Sequence, residues 1–505
     1  MKLCSCLLMA ALAVAPALAA DKKKDEKKGK DAPAPVAAAA AQDAVKDAEA
    51  KLAAGDADAA IALLETAMGR DGMAALRLGQ LREARGELDA AVDAYKAAAG
   101  QLTGPGKGEA LGRMAVAQDS RGMTDAAASA EAAIAADPEG AWPTIAMSYR
   151  RVHEGQLDEA IALAQKAVAA GGAAAATGAL AHAQAAKGDL AAAEASYRQA
   201  VASDPVALGP IVGLATVLRA TDRAAEAEPM LKKVIDSSPG AVEAYKEMAR
   251  VKIALGRSQE ALSDANLAAA MAENDPEAKE LVVEVRVARS LQDLGAGQTD
   301  LAVQELTQLR DQNPESAAVR LGLGRAQIAR RDAAAALAEL QKAVDLDPKN
   351  AEAQYQLGYV HQVMKQNPGA AVVPYEKAVE ASPGNAMFRT SLGSALLGAG
   401  QTEPAVEQLT KVTSADGYSG WQAWFYLGAA QLKASRFTQA VAALEKALAA
   451  KPANAEAEAY LAWSYFGLKD AAGFKAHGAK ARKLGWKDAA LLDRLAKVEA
   501  GQAIK

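Results

Sequence analysis

The stretch Trp421–Asn454 reads WQAWFYLGAAQLKASRFTQAVAALEKALAAKPAN, and the reading of its 34 residues decides the fold. Trp424, Leu427 and Gly428 are followed by Ala440, Leu444, Ala447 and Pro452, at positions 4, 7, 8, 20, 24, 27 and 32 of the stretch. The intervening residues are rich in Ala, Leu, Gln, Lys and Glu, which are strong helix formers. Small residues at 8, 20 and 27 leave no bulk where two helices cross, so the backbones can approach closely. Pro452 ends the second helix, because the residue before a proline is pushed out of the helical region. A helical hairpin of this length cannot bury its apolar face alone.

The same positions recur in both directions. Ala174–Ala207 supplies Leu180, Ala181, Gly188, Ala193, Tyr197, Ala200 and Pro205, and Ala317–Asn350 supplies Leu323, Gly324, Ala336, Leu340, Ala343 and Pro348. Ala141–Ala173 carries Gly155, Ala160 and Ala167, with Gly172 in place of the proline. Val242–Pro276 carries Gly256, Ala261 and Ala268, with extra residues before Pro276. Copies ending at Pro138, Pro239, Pro314 and Pro383 are offset by about a residue. Weaker copies fill Ala41–Asp71 and Gly72–Pro105, Ala386–Gly420 keeps Leu392, Gly393, Ala405 and Leu409, and Ala455–Trp486 is degraded. Gly155, Gly188 and Gly297 fall at turns within hairpins, where a left-handed backbone suits glycine. Asp137–Pro138, Asp204–Pro205 and Asp347–Pro348 are the turns between copies.

This pattern strongly resembles the tetratricopeptide repeat (TPR). The resemblance implies an all-α solenoid: a right-handed superhelix of about thirteen helical hairpins over 41–486, closed by a C-terminal capping helix and tail over 487–505. Proteins of this kind bind other proteins, and the inner surface is lined mainly by positions 2, 5, 9 and 12 of the first helix. Carried onto this chain, that places Arg325, Tyr355, Tyr359, Phe425, Trp463 and Phe466 on a concave protein-binding face, with Met387, Thr390, Gln422 and Leu432 beside them. Aromatics concentrate here: all five Phe, four of five Trp and four of eleven Tyr lie after residue 385. Aromatics at such positions either fill hairpin cores, as Trp424 and Tyr375 are expected to do, or line a groove for an extended peptide, a partner helix or a glycan. The two-carboxylate clamp of chaperone-binding members is not assembled. Lys246 and Arg250 occupy positions 5 and 9 of one copy, but Glu243 and Glu247 stand beside them, and the next copy offers Glu284 and Val287.

The formal net charge is −5, with acids and bases alternating along the helices as on solvated faces, and no basic stripe is interleaved with aromatics. A nucleic-acid partner is therefore not expected. Lys2 precedes an apolar run from Leu3 to Ala20 that ends Ala17-Leu18-Ala19, an A-x-A cleavage site. Residues 1–20 read as a secretory signal cleaved after Ala19 or Ala20, which predicts a periplasmic or secreted protein. Cys4 and Cys6 lie inside the signal, and Cys4 stands too early for a lipid-anchored cysteine, so the mature chain would hold no disulfide, thiol nucleophile or thiolate ligand. Residues 21–40, with six lysines between Asp21 and Lys30 and then Ala32-Pro33-Ala34-Pro35, read as a disordered linker. Its lysines make it either a solubilising spacer or a tether to anionic lipid or cell-wall polymer. No later run is long enough to span a membrane.

No catalytic constellation emerges. His153, His182, His361 and His477 fall in different copies without a second ligand at metal spacing. Gly104-Pro105-Gly106-Lys107-Gly108 lacks both the spacing and the Ser or Thr of a phosphate-binding loop. Neither cofactor nor metal is expected, and the reading is a non-enzymatic scaffold or adaptor of the bacterial cell envelope. Such a scaffold helps assemble a multiprotein machine, as in motility, pilus, secretion or polysaccharide export. Two alternatives remain from the residues alone: a glycan- or peptidoglycan-binding module using the C-terminal aromatics, and a regulator of an envelope enzyme.

Overall fold

Alanine loses no side-chain entropy in a helix, and this chain uses it at most positions where helices meet. The consequence is visible in the computed structural model, which describes residues 35–504 apart from 416, 417 and 419, with side chains from residue 44. The described residues form helices and turns, with no strand among them. The signal and linker residues 1–34 lie outside the described residues. The first helix starts at Pro35, within the stretch read as linker, because proline presets the first helical φ and five alanines follow it.

The chain divides into two compact units, one up to Arg289 and one from Ser290. The first runs through the pairs α1 (Pro35–Ala53) and α2 (Ala57–Ala67), α3 (Gly72–Ala84) and α4 (Leu88–Gln101), α5 (Gly104–Ser120) and α6 (Ala126–Ala136). It continues with α7 (Ala141–His153) and α8 (Leu157–Ala169), α9 (Ala173–Ala186) and α10 (Leu190–Ser203), α11 (Leu208–Ala220) and α12 (Ala224–Ser237), α13 (Val242–Ala254) and α14 (Ser258–Met271). The division falls inside α15 (Pro276–Gly295), which precedes α16 (Thr299–Gln312). The second unit then holds α17 (Ala317–Ala329) and α18 (Ala333–Leu346), α19 (Ala351–Tyr359) and α20 (Pro368–Ala381), α21 (Ala386–Gly398) and α22 (Thr402–Thr413). It ends with α23 (Trp421–Lys433) and α24 (Phe437–Ala450), α25 (Ala455–Gly467) and α26 (Ala471–Lys483), and a lone α27 (Ala489–Glu499).

Each hairpin turn contains one residue with positive φ. Glycine supplies it in eight turns, such as Gly155 (+74°) and Gly188 (+89°), whereas Asp222, Arg331, Gln366, Ser435 and Lys469 supply it in the others. Between hairpins, Asp137 and Asp204 end their helices in extended conformations and Asp347 leaves the helical region as well, each ahead of a proline. Asn350, Asn385 and Asn454 then cap the following helices, each side-chain oxygen accepting from a backbone N–H in the first turn. Position 8 is a close approach: a Cβ on Gly324 would lie 2.6 Å from Leu340, and on Gly428 2.5 Å from Leu444. One repeat, starting at Ala351, is a residue longer than Trp421–Asn454. The extra residue is absorbed as a π turn over Val360–Met364, which continues α19.

The cores of the first unit are uneven. From Ile145 to Ala200 the buried positions are mostly alanine, whereas Ile211, Leu214, Leu218, Leu231, Val234 and Val251 fill the next stretch. The unit also closes on itself. Ser238 Oγ donates to the Ala84 carbonyl at 2.8 Å. Gly86 lies so near that a Cβ there would be 2.6 Å from Ala241 Cα. Arg121 reaches Asp275 at 3.5 Å.

Candidate protein-interaction surface

Side chains on the first helix of each hairpin at positions 5, 9 and 12 were the sequence candidates, and the structure distributes them over several places. Arg325, on α17, is half-buried and has no ion-pair partner among the described residues. Tyr355 and Tyr359 lie one turn apart on α19, both half-buried, with Tyr359 directly before the π turn. The Tyr355 ring stacks on Phe388 of α21 at 4.9 Å and tilts against Tyr375 at 5.6 Å. Burial pushes the Tyr355 phenol above its usual pKa, with a hydrogen bond to Ser391 pulling the other way.

Phe425 is a correction to the expected groove. It is 5 % exposed and packs with Leu444, Ala447, Ala457 and Leu461, edge-on to Tyr460 at 5.4 Å. Helix α25 covers it, so it serves the joint between two hairpins. Trp424, expected in the core, is half-buried, with the Lys446 ammonium 4.1 Å from its ring centre. Tyr375 is core, at 1 % exposure.

Trp463 and Phe466 meet edge-to-face at 5.6 Å, and both contact Phe474 behind them. In front of them is an apolar cavity of ≈ 540 Å³, lined also by Leu432, Phe437, Gly467, Lys469 and Ile504. Ile504 was not among the sequence candidates, although it is the only large apolar residue after Val498. A second cavity, of ≈ 510 Å³, holds His477 with Glu458, Lys480, Lys483 and Glu445. His477 Nδ1 is 2.6 Å from Glu458 Oε2, and Tyr465 stacks on the imidazole at 5.3 Å. That pairing occupies a histidine that looked isolated in the sequence.

In the first unit the cations at positions 5 and 9 are engaged by the chain itself. Lys246 is 1 % exposed and its Nζ meets Glu243 at 3.1 Å, Asp275 at 3.3 Å and Glu277. Burial opposes the ammonium's charge, but Glu243 and Glu277 outweigh it and raise its pKa. Arg250 pairs with Glu277 at 2.7 Å, and Arg219 with Glu247 at 2.9 Å. A ligand carboxylate would therefore compete with several internal ones. Among the described residues no group of three His, Cys, Asp or Glu side chains is placed to hold a metal ion, and no helix is long and apolar enough to cross a membrane.

Two models of the tetratricopeptide repeat match the chain, one at residues 45–104, 146–207 and 390–455, the other at 218–284 and 293–357. Among solved structures, the chain is similar to YrrB, described as a TPR protein with an unusual peptide-binding site. The identity is 22 %, the match covers 38 % of this chain and 97 % of that one, and the TM-score is 0.34. The APC/C hetero-tetramer Cut9–Hcn1 gives 12 % identity over 92 % of this chain and 96 % of that one, with a TM-score of 0.42. PilF of Pseudomonas aeruginosa gives 16 % over 44 % and 97 %, with a TM-score of 0.37. These likenesses concern the fold alone. No curated protein matches the chain.

Proposed function

The chain belongs to the tetratricopeptide-repeat family, a fold that typically serves as a non-enzymatic protein-interaction scaffold, and on that premise we propose that it is an exported adaptor of the bacterial cell envelope. The observation that carries the binding role is the half-buried aromatic series on the second unit. Tyr355 and Tyr359 lie on one first helix, and Trp463 and Phe466 on another, with an apolar cavity beside the latter pair. Aromatic side chains that keep part of their surface open are favoured anchors for a partner protein. The inner cations of the first unit are neutralised internally, so the docking function falls to the second. Export rests on the apolar run Leu3–Ala20 with its Ala17-Leu18-Ala19 ending. The same surface serves a subunit of an envelope machine such as a pilus, motility, secretion or polysaccharide-export apparatus.

Affinity capture from an envelope fraction, with cell-wall polymer pull-down in parallel, tests this. Tyr359→Ala is expected to weaken capture by about 2 kcal/mol while leaving the melting temperature in place. Phe425→Ala is expected to lower stability by about 3–5 kcal/mol, because that ring is core. Retention of polymer with no protein captured would overturn the adaptor reading in favour of a glycan-binding module. Intact-mass analysis of the native protein checks export: a retained Met1 would overturn it.

A further inference from the structure

The cavity beside Trp463 has a wall that does not come from the repeats. Helix α27 ends at Glu499, and the chain then turns through Gly501 at φ +90°. Gln502 N–H donates to the Lys497 carbonyl at 3.0 Å, a helix-ending turn that fixes the direction in which the chain leaves. Gln502, Ala503 and Ile504 follow without helical structure. This run returns Ile504, half-buried, to the face formed by Trp463 and Phe466. Ala503 and Ile504 make no hydrogen bond among the described residues. Their hold is one aliphatic side chain in a space far larger than that side chain fills, beside Leu432 and Phe437. At the rim stands Lys469, exposed and without an ion-pair partner among the described residues.

We propose that this cavity is a docking site for an extended peptide segment bearing a branched aliphatic side chain next to an acidic residue, and that the chain's own 501–504 run is its built-in competitor. The proposal rests on the reading of the protein as an adaptor. The tail itself shows what the site accepts: an aliphatic side chain carried on irregular backbone against aromatic faces. The Lys469 ammonium, without an ion-pair partner among the described residues, complements a carboxylate beside that side chain. A longer ligand fills the space the tail leaves and can carry a carboxylate toward Lys469, whereas the tail benefits from tethering. A short tether gives an effective concentration on the order of millimolar, so a free ligand must bind more tightly than the tail to displace it.

The experiment uses a fluorescein-labelled peptide, Gly-Gln-Ala-Ile-Asp-Gly, and reads anisotropy. The proteins are the full chain, a chain ending at Ala500 that keeps α27, and full-length Ile504→Asp. The shortened chain is expected to bind, the full chain about tenfold more weakly, and Ile504→Asp like the shortened chain. A peptide with Ala for Ile is expected to lose binding. Lys469→Glu in the shortened chain, at an exposed position, is expected to weaken binding by about threefold with helical circular dichroism unchanged. Equal affinity of the full and shortened chains, absence of binding to the shortened chain, or equal binding of the Ala peptide would each overturn the proposal. Envelope capture through Tyr359 is read separately. A failed peptide assay with capture retained removes this inference alone, and a failed capture with peptide binding retained removes the adaptor reading alone.

Discussion

Ser435 holds φ at +58° in the turn between α23 and α24, where an L side chain costs about 1 kcal/mol relative to glycine. Gly155 occupies the equivalent turn between α7 and α8 at φ +74°, with open space where a Cβ would go. Gly155→Ala is therefore expected to lose about 1–2 kcal/mol, read as a lower urea midpoint. Ser435→Gly is expected to gain less than that loss, because glycine also adds freedom to the unfolded chain. The glycine turns were legible in the sequence; those at Arg331, Gln366 and Ser435 were not, since nothing marks a polar residue as left-handed. Trp424 and Phe425 show the same limit, because which of two adjacent aromatics is covered depends on α25, which follows them. His182 adds a pH term. Its ring stacks on Tyr149 at 4.8 Å, and burial pushes its pKa below the usual 6.5, with Asp119 opposing. The unfolded chain thus takes up the proton first, so stability is lost as pH falls from about 6.5 toward the depressed folded value, and below that value the loss is complete. His182→Gln is expected to flatten the drop in melting temperature between neutral and mildly acid buffer; an unchanged drop would assign it to other groups.

At the scale of an element, the π turn Val360–Met364 is where one repeat carries its surplus residue. The one-residue offset of Pro383 was visible in the sequence, but periodicity alone did not show that this repeat carries an extra residue or where it is absorbed. A π turn is a helix with one residue too many. Deleting Val363, which is 51 % exposed, is expected to restore an α-helical end to α19 without unfolding the hairpin. Circular dichroism and melting temperature close to the parent's would bear this out; collapse of the transition would mean that the π geometry is required for packing against α20. Tyr359 immediately precedes the turn, so the same deletion reports on its contribution to partner capture. Helix ends between hairpins were legible at the Asp-Pro pairs of Asp137, Asp204 and Asp347, whereas the Asn caps that restart the helices at Asn350, Asn385 and Asn454 emerged only in the structure.

At the scale of the whole molecule, repeat positions foretold which residues meet within a hairpin but carried no mark of the seam in the first unit. Ala84 and Ser238 are 154 residues apart, and nothing periodic relates them. Gly86 separates the seam from its turn chemistry. Gly86→Ala incurs the same left-handed penalty as Gly155→Ala, and in addition drives a Cβ to 2.6 Å from the Ala241 backbone. It is expected to cost at least about 1 kcal/mol more than Gly155→Ala and to speed hydrogen exchange at Ser238–Ala241. Equal costs, with exchange there unchanged, would show the seam to be open in solution. The closure also concerns time. Hairpins that touch only their neighbours can form in the order in which they are made. The Ala84 carbonyl, by contrast, has no Ser238 to receive until the chain has grown by a further 154 residues. A chain synthesised or threaded from its N-terminus therefore carries its early hairpins unsealed, and Arg121 waits just as long for Asp275. Closing so large a loop adds an entropic step to a topology otherwise built from short-range contacts. The joining of these two distant edges is then expected to be a late and slow step in refolding, after the helices that bring them together have formed.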